Sequence, residues 1–100
     1  MGAFVGLVGR YANRISNGCI PLAGVVYTLT LNDVSTVPAA PRRNTLHGGK
    51  RGSRFIPFAA VQRSPRSVPM SIRFRDGEEG FPGDLMVRVV YALMDDDDLV

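Results

Sequence analysis

Alternating apolar and polar side chains define the clearest element of the sequence, between residues 25 and 31. Two sets of side chains alternate there: Tyr27, Leu29 and Leu31 on one face, and Val26, Thr28 and Thr30 on the other. A period of two is typical of a β-strand with one buried face. Residues 19–22 precede this strand across Ala23-Gly24, and they follow a strong turn signal at Asn17-Gly18. The pattern therefore predicts a β-hairpin of residues 19–22 and 25–31.

The second half of the chain carries further strand patterns. Residues 58–62 and 70–74 predict two strands joined by residues 63–67. In the second of these strands, Ile72 and Phe74 are expected to face inward, and the outward positions are Ser71, Arg73 and Arg75. Residues 85–94 are apolar on both faces except at Arg88, which favours burial between two layers. The aspartates at 95–98 then end this strand, and we expect them at a charged hairpin end.

Three connecting segments complete the predicted fold. Residues 9–15 begin like a tight turn that enters one helical turn, but the pattern does not decide their secondary structure. Residues 32–43 contain Pro38 and Pro41 among small residues, so we expect an extended surface loop that pairs with no strand. Residues 76–83 hold three glycines and Pro82 and predict a turn-rich loop. Because no segment predicts a helix of ordinary length, the predicted fold class is all-β, in one domain of residues 1–100.

Composition restricts the class of protein further. The 100 residues are 45% hydrophobic and 21% charged, which is ordinary for one globular domain. No apolar run approaches the roughly 20 residues of a membrane span, and residues 1–8 lack the basic flank and long apolar segment of a secretory signal. Cys19 is the single cysteine, expected as a small apolar filler at a strand start, and it fits a reducing compartment. We therefore expect a cytoplasmic protein without a membrane partner.

Positive charge is concentrated in the middle of the chain. The net charge is +3, and nine of the twelve arginine and lysine residues lie between positions 42 and 75. Such a concentration raises the alternative of a basic β module that binds nucleic acid. The arginines are not interleaved with aromatic residues in a stacking platform, so a nucleic-acid partner is not expected.

The only histidine, His47, stands within Asn-Thr-Leu-His-Gly-Gly at residues 44–49. Because imidazole ionises near neutral pH, a proton transfer at pH 7 would most naturally involve this side chain. Gly48 and Gly49 can adopt backbone angles closed to other residues, so a ligand can approach the main chain there. The alternative is an ordinary loop with a half-exposed histidine. One histidine and one cysteine far apart in sequence do not indicate a metal site.

Three blocks of sequence, taken in order, resemble a known family. Residues 9–18 have the sequence Gly-Arg-Tyr-Ala-Asn-Arg-Ile-Ser-Asn-Gly, and residues 76–85 have Asp-Gly-Glu-Glu-Gly-Phe-Pro-Gly-Asp-Leu. Together with the histidine block between them, they resemble the aldose 1-epimerases, the galactose mutarotase family. The resemblance extends over most of the chain. It implies a partial antiparallel β-sandwich of the galactose mutarotase-like supersandwich type, in which residues 32–43 look like an insertion before the histidine block.

The resemblance also implies a sugar site. Asn13 and Arg14 match the family's substrate-binding asparagine and arginine, and His47 matches its first active-site histidine, which binds the sugar near its reacting end. From the residues alone, Arg14 could equally pair with a carboxylate and fix its own turn. Arg10 matches the motif as well, and we expect it to be structural. The implied substrate is a free aldohexose such as galactose or glucose, and no cofactor is implied.

The resemblance leaves the catalytic machinery incomplete. The family's second histidine, which is its main proton donor, and its active-site aspartate and glutamate base come later than any residue aligned here. We therefore assign no catalytic residue, and we expect a fragment truncated at both ends relative to the full domain, or a truncated gene model, with little or no activity. A non-catalytic carbohydrate-binding remnant is the alternative.

Two acidic clusters suggest other chemistry. Asp76, Glu78 and Glu79 could form a carboxylate pair as in glycoside hydrolysis, but neighbours in a glycine-rich loop are usually solvated. The aspartates at 95–98 lack the alternating spacing and the glycine of a calcium-binding loop. Neither cluster is therefore assigned a catalytic or metal-binding role.

Overall fold

Short antiparallel β-strands are the main regular elements in the part of the chain that the computed structural model describes, residues 6–61 and 64–100. The strands are β1 (Arg14–Ser16), β2 (Cys19–Leu22), β3 (Val25–Thr28), β4 (Asp33–Ser35), β5 (Arg42–Leu46), β6 (Ala59–Ala60), β7 (Ser67–Phe74) and β8 (Leu85–Ala92). The helical segments in these ranges are two 3₁₀ turns, Ser53–Phe55 and Glu78–Gly80, and neither has the length needed to cross a membrane. The predicted all-β class is confirmed. Residues 1–5 and 62–63 lie outside the described residues, and with them part of the predicted strand 58–62 and of the predicted loop 63–67.

The first sheet has the order β1-β5-β4, so the central strand β5 pairs with β1 on one side and with β4 on the other. Arg14 lies opposite Leu46, and Asp33 lies opposite Asn44. The prediction that residues 32–43 pair with no strand is therefore wrong, because Asp33–Ser35 forms the edge strand β4. Residues 9–13 contain no helical turn, contrary to the prediction, because their backbone groups bond to distant residues instead of to each other, including Ser53 and His47.

The second sheet is the predicted hairpin of β2 and β3. Its strands pair from Cys19 opposite Thr28 to Leu22 opposite Val25, so the turn lies at Ala23-Gly24 as expected. The alternation continues beyond β3, where Leu29 is 3% exposed and donates its backbone N–H to the Gly18 carbonyl oxygen. Cys19 begins β2 but is exposed, so the expectation of an apolar filler there is wrong.

The third sheet has the order β6-β7-β8, with β7 and β8 paired along their full length. Ile72 and Phe74 are each 4% exposed, and Arg73 between them is exposed, which confirms the predicted faces of β7. The prediction that β8 is buried between two layers is wrong within the described chain, because Met86 is 63% exposed and Val90 is 48% exposed. At the end of β8 the predicted hairpin is present, since Leu93 bridges to Leu99 across the aspartate turn.

A small core joins the sheets. The buried hydrophobic residues of the described chain are Leu29, Ile72, Phe74 and Phe81. The radius of gyration is 16.7 Å, compared with about 13 Å for a compact domain of 100 residues. The molecule is therefore elongated, and the apolar face of β7 and β8 is only partly covered.

Arg10 connects the beginning of the chain to this core. Its guanidinium donates to the Gly83 carbonyl oxygen at 2.6 Å and to the Arg75 carbonyl oxygen at 2.7 Å. It also lies 5.4 Å from the ring centre of Phe74 and 5.8 Å from that of Phe81. These contacts use hydrogen bonds and cation–π attraction to hold the loop after β7 against residues 9–13. They confirm the expected structural role of Arg10.

Gly80 provides a test of how this loop packs. Its φ is +85°, and a methyl group added there would collide with the Thr28 carbonyl oxygen. Gly83 has a similar φ of +82° with no atom within 4 Å of the added methyl group, so it serves as a matched control. We expect Gly83→Ala to lower the free energy of unfolding by about 1 kcal/mol from backbone strain. Gly80→Ala should lower it by a further ~1–3 kcal/mol from the collision, measured by urea denaturation followed by circular dichroism. Equal losses in the two variants would contradict this packing.

Candidate functional site

Asn13 and His47 are joined by two hydrogen bonds across 34 residues of sequence. The backbone N–H of Asn13 donates to Nδ1 of His47 at 2.9 Å, and the backbone N–H of His47 donates to the Asn13 carbonyl oxygen at 3.0 Å. Both residues have left-handed backbone angles, with φ of +66° at Asn13 and +52° at His47. Asparagine and histidine are among the non-glycine residues that tolerate this region. The pair joins the segment before β1 to the segment after β5 at one point.

The first of these hydrogen bonds determines where the proton of neutral His47 resides. Nδ1 accepts from a backbone N–H, so in the neutral ring the proton is carried by Nε2. Nε2 has no hydrogen-bond partner within residues 6–61 and 64–100. It does not belong to the buried side-chain atoms that are left without a partner. The ring therefore offers a donor to a ligand from a fixed orientation.

Two side chains from other segments hold the backbone on either side of His47. The Asn32 side chain binds both backbone groups of Leu46. Its Nδ2 donates to the Leu46 carbonyl oxygen at 2.8 Å, and its Oδ1 accepts the Leu46 N–H at 2.6 Å. On the other side, the Glu79 carboxylate accepts the backbone N–H groups of Lys50 at 3.0 Å and Arg51 at 3.2 Å. His47 is thus positioned by fixed backbone on both sides.

Glycines allow the turn after His47 to pack closely. Gly48 has a φ of +83°, and a methyl group there would collide with the Gly9 carbonyl oxygen. Ser53, at the end of this turn, accepts the Gly9 N–H at 2.8 Å through its hydroxyl and donates the hydroxyl proton to the Leu7 carbonyl oxygen. The close approach at Gly48 is therefore to the backbone of another segment, and that at Gly49 is to the Glu79 side chain.

Arg14 lies beside this pair and is held by Asp33. Its Nε donates to Asp33 Oδ2 at 2.8 Å, and its Nη1 lies 3.5 Å from Asn13 Oδ1. Asp33 also accepts from Arg42 Nε at 2.9 Å and from Asn44 Nδ2 at 3.1 Å. Because residues opposite each other in paired strands share a face, these four side chains form one polar surface on the first sheet.

The charge of Asp33 is stabilised by these donors. Its side chain is 10% exposed, whereas that of Arg14 is 51% exposed. Three hydrogen bonds lower the pKa of Asp33 from 3.8 to about 2. The bond from Arg14 has the largest effect, followed by the bond from Asn44 and then by the bond from Arg42. Partial burial opposes this change. At neutral pH, Asp33 is therefore a fixed anion that orients the Arg14 guanidinium.

The structure brings together all three residues predicted for a sugar site, namely Asn13, Arg14 and His47. It also shows the pairing of Arg14 with a carboxylate that was the alternative interpretation, and the two are compatible because Asp33 uses only the Nε of Arg14. The carboxylates of the glycine-rich loop bind backbone amides. Glu78 accepts the Arg75 N–H at 2.9 Å, and Glu79 accepts the two amides described above. They cap turns and do not face one another as a catalytic pair.

Comparison with known proteins now identifies the family. A family profile described as aldose 1-epimerase matches residues 2–100. The chain belongs to this family. Galactose mutarotase from Sus scrofa is 43% identical over 94 residues, which are 90% of this chain and 24% of that protein. Aldose 1-epimerase from Escherichia coli (strain K12) is 39% identical over 95 residues, which are 94% of this chain and 25% of that protein.

Solved structures show the same relationship to the aldose 1-epimerase fold. A GalM/aldose epimerase homologue from C. elegans superimposes with a TM-score of 0.76 at 35% identity, covering 92% of this chain and 26% of that one. A galactose 1-epimerase from Lactobacillus acidophilus gives a TM-score of 0.74 at 25% identity with the same coverage. The predicted fold type is confirmed. The chain spans about a quarter of the length of these relatives.

Sequence reasoning missed three residues that position the site: Asn32, Asp33 and Glu79. Asn32 and Asp33 fall in the segment that was predicted to pair with no strand, and Glu79 was considered only as part of a catalytic carboxylate pair or as a solvated carboxylate. The one available signal for Asp33 was an isolated acid in a segment that ends in two arginines. Among the described residues, no three histidine, cysteine, aspartate or glutamate side chains are grouped to hold a metal ion.

The Asp33 cluster predicts a specific dependence of stability on pH. Because the pKa of Asp33 is lower in the folded chain, its contribution is fully present above about pH 4 and is lost as the pH falls through about 2. We expect Asp33→Asn to be less stable than the wild type at pH 7, with the difference shrinking between about pH 4 and pH 2. The difference is measured from the urea concentrations at the unfolding midpoints of the wild type and Asp33→Asn at these pH values.

Asp97→Asn is the matched control for the loss of one carboxylate, because Asp97 is exposed in the turn after β8 and forms no ion pair among the described residues. A difference between wild type and Asp33→Asn that is the same at pH 7 and pH 2 would show that the carboxylate charge is not what stabilises the cluster.

Proposed function

We propose that Asn13, Arg14 and His47 bind a free aldohexose such as galactose or glucose, as part of the active site of an aldose 1-epimerase. The observation that carries this proposal is the hydrogen-bonded Asn13–His47 pair with Arg14 beside it. The three side chains offer an imidazole N–H, an amide and a guanidinium within one small surface. Sugar hydroxyls both donate and accept hydrogen bonds, so such a mixed set suits a pyranose.

Each side chain has a distinct part in this proposal. His47 donates from Nε2 to an oxygen near the anomeric carbon, because its other nitrogen is occupied by the Asn13 N–H. Arg14 donates from its terminal nitrogens, since Asp33 holds its Nε and thereby fixes the plane of the guanidinium. The Asn13 side chain can accept from one sugar hydroxyl and donate to another.

Interconversion of anomers needs two proton transfers. A base removes the proton of the anomeric hydroxyl while an acid protonates the ring oxygen, and the ring then opens to the aldehyde. Rotation about the adjacent carbon–carbon bond and closure of the ring give the other anomer. Both groups must lie within about 3 Å of the sugar atoms that they serve. No cofactor takes part in this sequence.

This chain alone offers one of the two groups. His47 is its only histidine, and the nearby carboxylates of Asp33 and Glu79 are occupied by Arg14, Arg42 and Asn44 and by backbone amides, respectively. We therefore propose that these 100 residues bind the sugar and do not by themselves accelerate its mutarotation. The same arrangement supports a carbohydrate-binding function without catalysis.

Galactose titration tests the binding site. We expect saturable shifts of the Asn13, Arg14 and His47 NMR signals, and His47→Ala should weaken binding by about tenfold through loss of one hydrogen bond. Arg14→Lys should also weaken binding, because lysine lacks the planar guanidinium. Arg88→Lys is its matched control, since Arg88 lies on β8 in another sheet, and it should bind galactose like the wild type.

Polarimetry of freshly dissolved α-galactose in the same samples separates binding from catalysis. We expect saturable binding of galactose and a rate of mutarotation equal to the rate in buffer alone. Acceleration that disappears in His47→Ala would overturn the proposal that the chain is catalytically incomplete. Unchanged affinity in both His47→Ala and Arg14→Lys would overturn the sugar site.

A further inference from the structure

The Glu79 carboxylate reaches from the glycine-rich loop at residues 76–83 to the turn that follows His47. Its two oxygens accept the Lys50 N–H at 3.0 Å and the Arg51 N–H at 3.2 Å. Two successive backbone N–H groups that point to one anion form a small anion-binding nest. In this nest the anion is a side chain of the protein itself, so the position of the turn depends on Glu79.

Gly49 shows how closely this carboxylate packs against the turn. A methyl group added at Gly49 would collide with the carboxylate of Glu79. The Gly49 N–H donates to the Leu46 carbonyl oxygen at 3.1 Å, and this bond closes the tight turn that contains His47. Glu79 is therefore in contact with the turn that holds the histidine as well as with the two residues beyond it.

The backbone of Glu79 connects it with the segment before His47. Its carbonyl oxygen accepts the Thr30 N–H at 2.9 Å, and the Thr30 carbonyl oxygen accepts the Thr45 hydroxyl proton at 2.8 Å. Thr45 is only 1% exposed, so its hydroxyl is shielded from water. Thr30 and Glu79 thus join residue 45 to residues 50 and 51 by hydrogen bonds, and His47 lies between the two ends. We call this set of contacts the Glu79 network.

Glu79 adopts a strained backbone conformation within this network. Its φ is +54° and its ψ is +18°, which is the left-handed region, and glutamate is not one of the residue types enriched there. Such a conformation persists where surrounding contacts determine it, and residues of this kind concentrate at functional sites. The neighbouring Glu78 makes only a local contact with its carboxylate, since it accepts the Arg75 N–H at 2.9 Å. The two adjacent glutamates therefore have different surroundings.

We propose that Glu79 is a positioning residue of the sugar site, whose carboxylate fixes the orientation of His47 without contacting the sugar. This inference rests on the proposed function, in which His47 donates from Nε2 to the sugar. When the carboxylate charge is removed, the turn loses its fixed anion, and the hydrogen bond from the Asn13 N–H to Nδ1 of His47 weakens. The glycine-rich loop thereby acts on sugar affinity through His47.

The tautomer of His47 in the absence of sugar provides the first test. Glutamine offers one acceptor oxygen in place of two, so Glu79→Gln leaves one of the two backbone amides without its partner. At a pH where the imidazole is neutral, we expect NMR to show a mixture of both ring tautomers in this variant. Glu78→Gln is the matched control, since it removes the same charge from the adjacent position, and its His47 proton should remain on Nε2. A wild-type His47 tautomer in Glu79→Gln, with only a lower urea midpoint, would overturn the proposal.

Galactose titration of the same chains shows whether the effect reaches the ligand. We expect Glu79→Gln to weaken galactose binding by about threefold to tenfold, and Glu78→Gln by less than about twofold. In a chain that carries His47→Ala, Glu79→Gln should cause no further loss, because Glu79 acts through His47. Equal weakening by the two glutamine variants, or a full effect in the absence of His47, would overturn the proposal. Failure of the wild type to bind galactose would count against the sugar site alone, since the tautomer measurement needs no sugar.

Thr45 gives a second test that leaves Glu79 unchanged. Thr45→Val removes the hydroxyl that donates to Thr30 with little change in side-chain shape, whereas Thr45→Ser retains the hydroxyl. We expect a mixture of His47 tautomers in Thr45→Val and the wild-type tautomer in Thr45→Ser. A wild-type His47 tautomer in Thr45→Val would contradict the proposal that the Glu79 network orients the imidazole.

Discussion

The two hydrogen bonds between Asn13 and His47 are the interaction on which the candidate site depends. They connect the residue before β1 to the residue after β5, and each partner adopts a left-handed backbone conformation to make them. Such a conformation costs free energy in a non-glycine residue and persists where surrounding structure determines it. One of the two hydrogen bonds occupies Nδ1 of His47, so the constraint on the backbone also determines that Nε2 carries the proton of the neutral imidazole.

Other contacts in the site restrict the same two segments. Asn32 satisfies both backbone groups of Leu46, and Glu79 caps the amides of Lys50 and Arg51. The ion pairs of Asp33 involve arginines that are about half exposed, and such pairs contribute little to stability by themselves. Besides the pH-dependent contribution of Asp33 to stability, this one carboxylate holds two guanidinium groups in fixed orientations.

The sequence allowed the elements with strong local patterns to be predicted. The period of two in residues 25–31 identified β3 and its continuation to the buried Leu29, and the alternation at 71–74 identified the buried face of β7. The burial of β8 was predicted wrongly. Apolar side chains on both faces show that a strand could be buried, but they do not show whether another layer covers it. Met86 and Val90 are accordingly exposed in the described chain.

The site could be predicted only in part, for a physical reason. The resemblance of residues 9–18 to a family indicated Asn13 and Arg14, and that of the block Asn-Thr-Leu-His-Gly-Gly indicated His47. The residues that position them act through hydrogen bonds over 14 to 29 positions of sequence, as for Asn32 and Glu79, and no local periodicity reports such contacts. β4 was missed because the three residues Asp33, Val34 and Ser35, before a proline-containing loop, are too few to show a strand pattern, and this strand carries Asp33.

The position of the proton on the neutral His47 ring shows whether Asn13 donates to this side chain. A long-range proton–nitrogen NMR correlation, recorded at a pH where the imidazole is neutral, distinguishes the two ring tautomers. If the Asn13 N–H donates to Nδ1, the spectrum will show an unprotonated Nδ1 and a proton on Nε2. A proton on Nδ1 would contradict this arrangement, because a protonated Nδ1 cannot accept the Asn13 N–H, and only the backbone hydrogen bond from His47 to Asn13 could then form.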